Sequence, residues 1–233
     1  MSHLENNLQA VRRRIEQACL ACGRDVSSVK LLAVSKTVSS HNVREMAQLG
    51  VRDFGENYIQ EGLDKINALA GESHIQPLIW YCIGPVQSNK TKWVAESFDW
   101  VLSVDRLKIA QRLNDQRPAH LPALNVCLQV NVDGGMNKSG LRPDQVSALA
   151  HEVSQLPRLR LRGLMTIPEP QQHFEDQLAV HQRTRTLFDE VQAQHNFAQW
   201  DTLSMGMTAD LEAAIQAGST LLRIGTALFG ARI

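Results

Sequence analysis

The sequence lacks both a long hydrophobic run and an excess of charge of one sign. No stretch approaches the roughly 20 apolar residues that a membrane-crossing helix needs. Lys plus Arg and Asp plus Glu both number 24, so the formal net charge is zero. This balance argues against a broad electrostatic contact with nucleic acid or an anionic membrane. The first 20 residues show helical spacing of apolar positions without a signal-peptide core, so we expect a cytoplasmic protein that begins with an amphipathic helix.

Cysteine and histidine do not occur in patterns typical of metal sites. Four cysteines are present, and Cys19 and Cys22 form a CxxC pair at the end of the first predicted helix. No second pair at zinc-like spacing accompanies them, and none of the eight histidines lies in an HExxH motif. We therefore expect reduced thiols, histidines that serve packing, and no metal site.

Short apolar runs alternate with amphipathic stretches along the rest of the chain, which is the pattern of repeated βα units. The runs predicted as strands are 29–35, 51–56, 77–84, 100–104, 124–132, 159–165, 201–206 and 220–225. Several of the intervening stretches begin with Ser, Asn, Asp or Thr and several end in Gly, as helix caps do. Eight such units without a linker or a GxGxxG motif predict a single α/β domain over 1–233, a (β/α)8 TIM barrel with an extra N-terminal helix. An open Rossmann-like sheet is the alternative fold.

In such a barrel the chemistry is expected at the C-terminal ends of the strands. Lys36 follows the first apolar run, and its amine, if partly buried there, becomes a nucleophile toward aldehydes because desolvation disfavours the charged form. The last two strands end in SMGM and RIGT, where Gly206, Gly225 and neighbouring hydroxyls are suited to bind a phosphate. A lysine nucleophile beside a phosphate site indicates either a sugar-phosphate substrate or pyridoxal 5′-phosphate (PLP).

Arg223 favours the cofactor. It precedes Gly225 by two residues and so points to the same side of the strand, where it could meet the ring nitrogen of PLP. A guanidinium accepts no proton and would leave that nitrogen unprotonated, which weakens the ring as an electron sink. The site would then hold PLP without strongly activating it.

Seven segments together resemble the pyridoxal-phosphate homeostasis protein family, the YggS/PROSC group. They are AVSKT, FGENYIQEG, IGPVQSNK, NKSG, RGLMTIP, SMGMTADLEAAIQAGST and RIGTALFGAR. The resemblance runs from about residue 5 to the end of the sequence and implies a barrel related to the N-terminal domain of alanine racemase.

The same resemblance implies roles for individual residues. PLP is expected as a Schiff base on Lys36, with Arg223 facing the pyridine nitrogen and Asn57 near the ring. The phosphate is expected at Ser204, Gly206, Met207, Gly225 and Thr226. Lys138 matches a second family lysine of open role. Family members often carry His where this chain has Tyr81, so the role of that side chain is open too.

A carrier of PLP is the function that the sequence favours. Racemases need a base on each face of the bound amino acid, and in alanine racemase the second base comes from a further domain that the resemblance does not include. The only tyrosines are Tyr58 and Tyr81. We expect a monomer that holds PLP, without strong catalytic activity, and contacts PLP-dependent apo-enzymes transiently. The alternatives are a racemase-like enzyme and an interaction protein without cofactor.

Overall fold

The computed structural model describes residues 2–72, 74–135 and 139–230, and in it eight parallel strands close into a barrel in chain order. The strands are β1 (Lys30–Val34), β2 (Asp53–Glu56), β3 (Ile79–Cys82), β4 (Trp100–Val104), β5 (Leu124–Val130), β6 (Leu159–Thr166), β7 (Thr202–Ser204) and β8 (Leu221–Ile224). Closure comes from pairing of β1 with β8, in which Leu32 lies opposite Arg223. The predicted (β/α)8 barrel is confirmed, and the open sheet was the wrong alternative.

Helices cover the outside of the barrel. They are α1 (His3–Ala21), α2 (Ser40–Gln48), α3 (Ile59–Leu69), α4 (Thr91–Ser97), α5 (Leu107–Gln116), α6 (Pro143–Ser154), α7 (Phe174–His195), α8 (Leu211–Gln216) and α9 (Thr226–Phe229). Two short 3₁₀ turns lie at Val26–Ser28 and Ser88–Lys90. The sequence pattern indicated α1 to α8 but not the four-residue α9, which is too short for helical periodicity to be visible.

Several predicted strands extend beyond the ladder of hydrogen bonds. The β2–β3 ladder begins with Asp53 opposite Ile79, so the apolar residues just before each strand lie outside it. Val51, for example, is buried but donates its backbone N–H to Met46 O, at the end of α2. An apolar run therefore marks what is buried, and the ladder covers only part of it.

Two apolar clusters form the core. One fills the barrel interior and comprises Leu32, Val34, Tyr81, Ile83, Trp100, Leu102, Cys127, Met165 and Leu221. The other, larger cluster lies between the strands and the surrounding helices. Because side chains alternate along a strand, Leu32 and Val34 of β1 point inward, and the same alternation directs Lys36 toward the mouth of the barrel.

The predicted N-terminal helix is present as α1. Ser2 caps it by accepting the N–H of Glu5, and its buried face consists of Leu4, Leu8, Val11, Ile15 and Cys19. This face packs against α8 and α9, which follow β7 and β8. Arg14 pairs with Glu212 of α8 at 2.8 Å, so α1 supports the end of the chain that forms one side of the barrel mouth. Within the part of the chain that the structure describes, no helix is both long and apolar enough to cross a bilayer.

Candidate functional site

A cavity of about 620 Å³ lies at the C-terminal ends of the strands. Six of the eight residues predicted for the site line it: Lys36, Asn57, Met207, Arg223, Gly225 and Thr226. Residues from the ends of β3, β5 and β6 complete the wall, among them Gly84, Gln129 and Ile167. The barrel thus brings together positions that lie far apart in the sequence.

Lys36 follows the end of β1 by two residues and is half-buried. Ser35, which precedes it, is fully buried and continues the strand pairing by donating its N–H to Gly55 O at 3.0 Å. Thr37, which follows it, has φ 63°, a left-handed conformation that is uncommon for a residue other than glycine. The lysine is therefore carried on a sharp turn that leaves the strand directly.

Arg223 is buried in the wall of the cavity. Its Nη1 donates to Ser204 O and to Ser204 Oγ, both at 2.8 Å, and its Nη2 donates to Thr166 O at 2.7 Å. Burial lowers the pKa of Arg223 to about 10, although Asp210 acts in the opposite direction. The guanidinium therefore remains a cation at neutral pH, held rigidly between β6, β7 and β8.

Ser204 and Gly206 are the two predicted site residues that do not line the cavity. Ser204 is fully buried, and its hydroxyl lies against Arg223. Gly206 has φ 93°, and a Cβ at this position would lie 2.4 Å from Ala214 Cβ. Both residues lie behind the residues that line the cavity. Ser204 holds the side chain of Arg223, and Gly206 lets the chain after β7 pass close to α8.

Asp210 organises the loop after β7, a role that the sequence pattern did not indicate. Its Oδ1 accepts the N–H of Met207 at 2.7 Å, and its Oδ2 lies 2.8 Å from His181 Nε2. Burial acts to raise the pKa of Asp210, but the hydrogen bonds from His181 and Met207, with the charges of His181 and Arg223, outweigh it and lower that pKa. Glu212, two residues further along the chain, pairs with Arg14 instead.

A close approach of backbone shapes the side of the mouth formed by β2 and β3. A Cβ on Gly84 would lie 2.1 Å from the backbone oxygen of Asn57. Real Cβ atoms do not tolerate such a distance, so only glycine fits without moving the chain. Gly84 therefore allows Asn57 to sit at the cavity wall.

The two tyrosines are not among the residues that line the cavity. Tyr81 is buried inside the barrel, where its hydroxyl donates to Asp53 at 2.7 Å and its ring stacks on Trp100. Asp53 and Trp100 begin β2 and β4, so this hydroxyl faces the end of the barrel opposite the cavity. Burial raises the pKa of Tyr81. Tyr58 is 59% exposed, and neither ring lines the cavity.

The cysteines and the other possible metal ligands are arranged as follows. Cys19, Cys22, Cys82 and Cys127 are free thiols. Among residues 2–72, 74–135 and 139–230, no group of three or more His, Cys, Asp or Glu side chains could hold a metal ion. Lys138 lies outside the described residues.

Comparison with known proteins identifies the family. The model of the alanine racemase N-terminal domain matches residues 2–233. The chain therefore belongs to the alanine racemase N-terminal domain family.

Its curated relatives show which group within this family the chain resembles. The chain is 56% identical over 232 residues to the pyridoxal phosphate homeostasis protein of Pseudomonas aeruginosa, covering 100% of this chain and 97% of that protein. It is 51% identical over 233 residues to the pyridoxal phosphate homeostasis protein of Vibrio cholerae, covering 100% of this chain and 98% of that protein. The resemblance predicted from the sequence is confirmed.

Solved structures include a relative with its ligand. PipY of Synechococcus elongatus PCC7942, solved with PLP bound, matches with a TM-score of 0.84 at 32% identity. The match covers 98% of this chain and 100% of that one.

Proposed function

We propose that this protein binds PLP in the cavity at the strand ends, holds it covalently on Lys36, and serves PLP homeostasis as a carrier. The observation that carries the proposal is that Lys36, which follows β1, and Arg223, which lies within the neighbouring strand β8, line one cavity. The names of the relatives and the PLP bound to PipY support the same ligand.

The residues present fit this cofactor. A cavity of about 620 Å³ lies within the range of roughly 300–1,000 Å³ that small-molecule sites occupy. Its wall carries a lysine amine, the hydroxyl of Thr226 and the cation of Arg223. Leu228 and Phe229 of α9 donate their N–H groups to Gly225 O, whereas the N–H groups of the first two residues, Thr226 and Ala227, are suited to a phosphate.

Each residue has a proposed task at this site. PLP would supply an aldehyde when bound, and the Lys36 amine would hold it as a Schiff base with loss of water. Met207, Gly225 and Thr226 hold the phosphate, and Asn57 orients the ring. Ser204 and Gly206 act from behind, by fixing Arg223 and by allowing the loop after β7 to run close to α8.

Arg223 favours holding over catalysis. Its hydrogen bonds to Ser204 and Thr166 leave the guanidinium no freedom to turn away from the cavity. A guanidinium has no acceptor site and stays protonated, so it cannot keep the ring nitrogen of PLP protonated. The ring is then a weak electron sink, and loss of an α-proton from a bound amino acid is disfavoured.

The position of the tyrosines also favours a carrier. Racemisation needs proton transfer on both faces of the substrate, and neither Tyr58 nor Tyr81 lines the cavity. The racemase family membership keeps racemase-like chemistry as the second candidate. We propose a monomeric, single-domain cytoplasmic protein without strong catalytic activity, which contacts PLP-dependent apo-enzymes transiently.

Transfer to an apo-enzyme tests the carrier role. The protein is loaded with PLP, desalted, and mixed with the apo-form of a PLP-dependent enzyme. Enzyme activity is expected to return in proportion to the loaded protein added. Loaded protein treated with borohydride is the matched control, because the reduced carbon–nitrogen bond cannot release PLP. Failure to retain PLP after desalting, or failure to transfer it, would contradict the proposal.

A further inference from the structure

A buried cluster of charged and polar side chains lies outside the cavity wall, beneath the turn that carries Lys36. We call it the Lys65 cluster; its members are Ser35, Glu56, Glu61 and Lys65. Lys65 Nζ donates to Glu56 Oε1 at 2.9 Å and to Glu61 Oε1 at 2.6 Å. Glu56 Oε1 also accepts the hydroxyl of Ser35 at 2.5 Å. Lys65 does not line the cavity, so it is not expected to contact a ligand bound there.

The cluster binds both peptide groups that flank Lys36. Lys65 Nζ donates to Ser35 O at 2.6 Å, which is the carbonyl of the peptide bond into Lys36. Thr37 N–H, which belongs to the peptide bond out of Lys36, donates to Glu61 Oε1 at 2.6 Å. One ammonium and one carboxylate, themselves bonded together, thus fix the backbone on either side of the lysine.

The conformation held in this way is not one the chain adopts readily. Thr37 has φ 63°, and a β-branched residue in the left-handed region is an outlier that the surroundings must impose. The bond from Thr37 to Glu61 is an interaction that imposes it. Without this bond the turn is expected to relax, and the Lys36 side chain would leave the mouth with a different direction.

Because its charges are buried, the cluster is a poor source of stability by itself. The side chains of Lys65 and Glu56 are only 6% and 0% exposed, and desolvation of buried ions can exceed their mutual attraction. Glu56 Oε2 is buried without a hydrogen-bond partner among the described residues. Burial raises the pKa of Glu56, and the bonds from Ser35 and Lys65 only partly oppose this. A role in positioning explains the arrangement better than stability does.

We propose that Lys65 and Glu61 are positioning residues for the cofactor, which fix the turn 35–37 so that the Lys36 amine meets the PLP aldehyde. This inference rests on the proposed function, since it names residues that act on the PLP site through Lys36. Neither residue touches the cofactor. Their effect is expected on the affinity for PLP and on the pH at which the visible band of the bound cofactor changes.

Glu61→Ala is the deciding variant, because Lys65→Met leaves Glu56 buried without its cation and so threatens folding. Glu61 is 26% exposed on its side chain, and its loss removes the acceptor of Thr37 N–H. Asp64→Ala is the matched control: Asp64 is an exposed carboxylate of the same helix and bonds to Gln60 instead. Glu61→Gln, which keeps an amide oxygen as acceptor, serves as the rescue.

Two measurements decide the proposal. Amide hydrogen exchange of Thr37 without cofactor is expected to accelerate in Glu61→Ala but not in Asp64→Ala. PLP affinity is expected to fall about tenfold or more in Glu61→Ala, as removal of supporting partners does at other sites. The pH midpoint of the change in the visible band should shift too. Glu61→Gln should partly restore both the PLP affinity and this pH midpoint.

The outcomes separate this inference from the function on which it rests. If wild-type protein does not bind PLP, the proposed function fails. If wild-type protein binds PLP, but Glu61→Ala matches Asp64→Ala in affinity, pH midpoint and Thr37 exchange, only the positioning role is overturned. A fall in thermal stability with unchanged affinity and pH midpoint overturns it as well, since that result describes a purely structural cluster.

Discussion

Ser204 Oγ lies 2.8 Å from Nη1 of Arg223, and the backbone oxygen of Ser204 accepts a bond from the same nitrogen at 2.8 Å. β7 therefore holds a side chain of β8 by two atoms of one residue. Thr166 at the end of β6 holds the other branch of the guanidinium at 2.7 Å. Three consecutive strands of the barrel meet at one cation, which gives Arg223 a structural task besides its proposed one toward PLP.

Arg223→Lys is expected to destabilise the protein. A single ammonium cannot reach Ser204 and Thr166 as the guanidinium fork does, so at least one buried carbonyl loses its donor. An unsatisfied buried polar group costs roughly 1–3 kcal/mol, and urea unfolding measures that loss. Arg142→Lys is the control, because Arg142 is exposed and pairs with the exposed carboxylate of Asp144; a change within about 0.5 kcal/mol is expected there. Equal effects of the two substitutions would contradict the structural task of Arg223.

Asp210→Asn should remove a pH-dependent part of the stability. The pKa of Asp210 is lowered from its ordinary value of 3.8 in the folded protein. The carboxylate therefore stabilises the fold above that value, and its contribution is lost as the pH falls through the folded pKa. The difference in free energy of unfolding between wild type and Asp210→Asn should be larger at pH 7 than at pH 3. A difference that stays constant or grows on acidification would contradict a lowered pKa of Asp210 in the folded protein.

Gly84→Ala should damage the cavity as well as the fold. The added methyl group would lie 2.1 Å from Asn57 O, so the chain at the β2–β3 side of the mouth must shift. We expect weaker PLP binding together with lower stability. Gly23→Ala separates the two effects: Gly23 has φ 68° and open space around it, so only the left-handed backbone is penalised, by about 1–2 kcal/mol. Normal PLP affinity in Gly84→Ala would show that the approach of Asn57 is unimportant to the site.

Amino acids should lose their α-protons only slowly on the PLP-loaded protein. Arg223 is proposed to leave the ring a weak electron sink, and neither tyrosine lines the cavity. Deuterium exchange at the α-carbon of L- and D-alanine, followed by NMR, measures this directly. Turnover at an ordinary enzymatic rate, about 1 s⁻¹ or more, would support the racemase-like candidate instead of the carrier.

Much of the fold could be predicted from the sequence, because alternating apolar and amphipathic runs report directly which segments are buried. The barrel rule then places strand ends together, which is why Lys36 and Arg223 could be assigned to one site although they lie at opposite ends of the chain. Strand limits were less predictable. Val51 is apolar because it is buried, yet the ladder of β2 begins two residues later.

The supporting residues could not be assigned, because their partners are distant in sequence and only the fold brings them together. Asp210 depends on His181, 29 residues away, and Lys65 depends on Ser35, 30 residues away. Only Lys65 left a signal in the sequence. Lys65 shares the buried face of α3 with Gly62 and Leu69, and a lysine at such a position requires a partner.

Reduction with borohydride tests the central claim most directly. The PLP-loaded protein is reduced, which fixes any carbon–nitrogen double bond, then digested and mapped by mass spectrometry. The added mass of the reduced cofactor is predicted on Lys36. Trypsin should not cleave after the modified lysine, so the peptide should contain Lys36 internally. Modification of a different lysine, or a coloured protein with no modified lysine, would contradict the assignment of Lys36 as the residue that holds the cofactor.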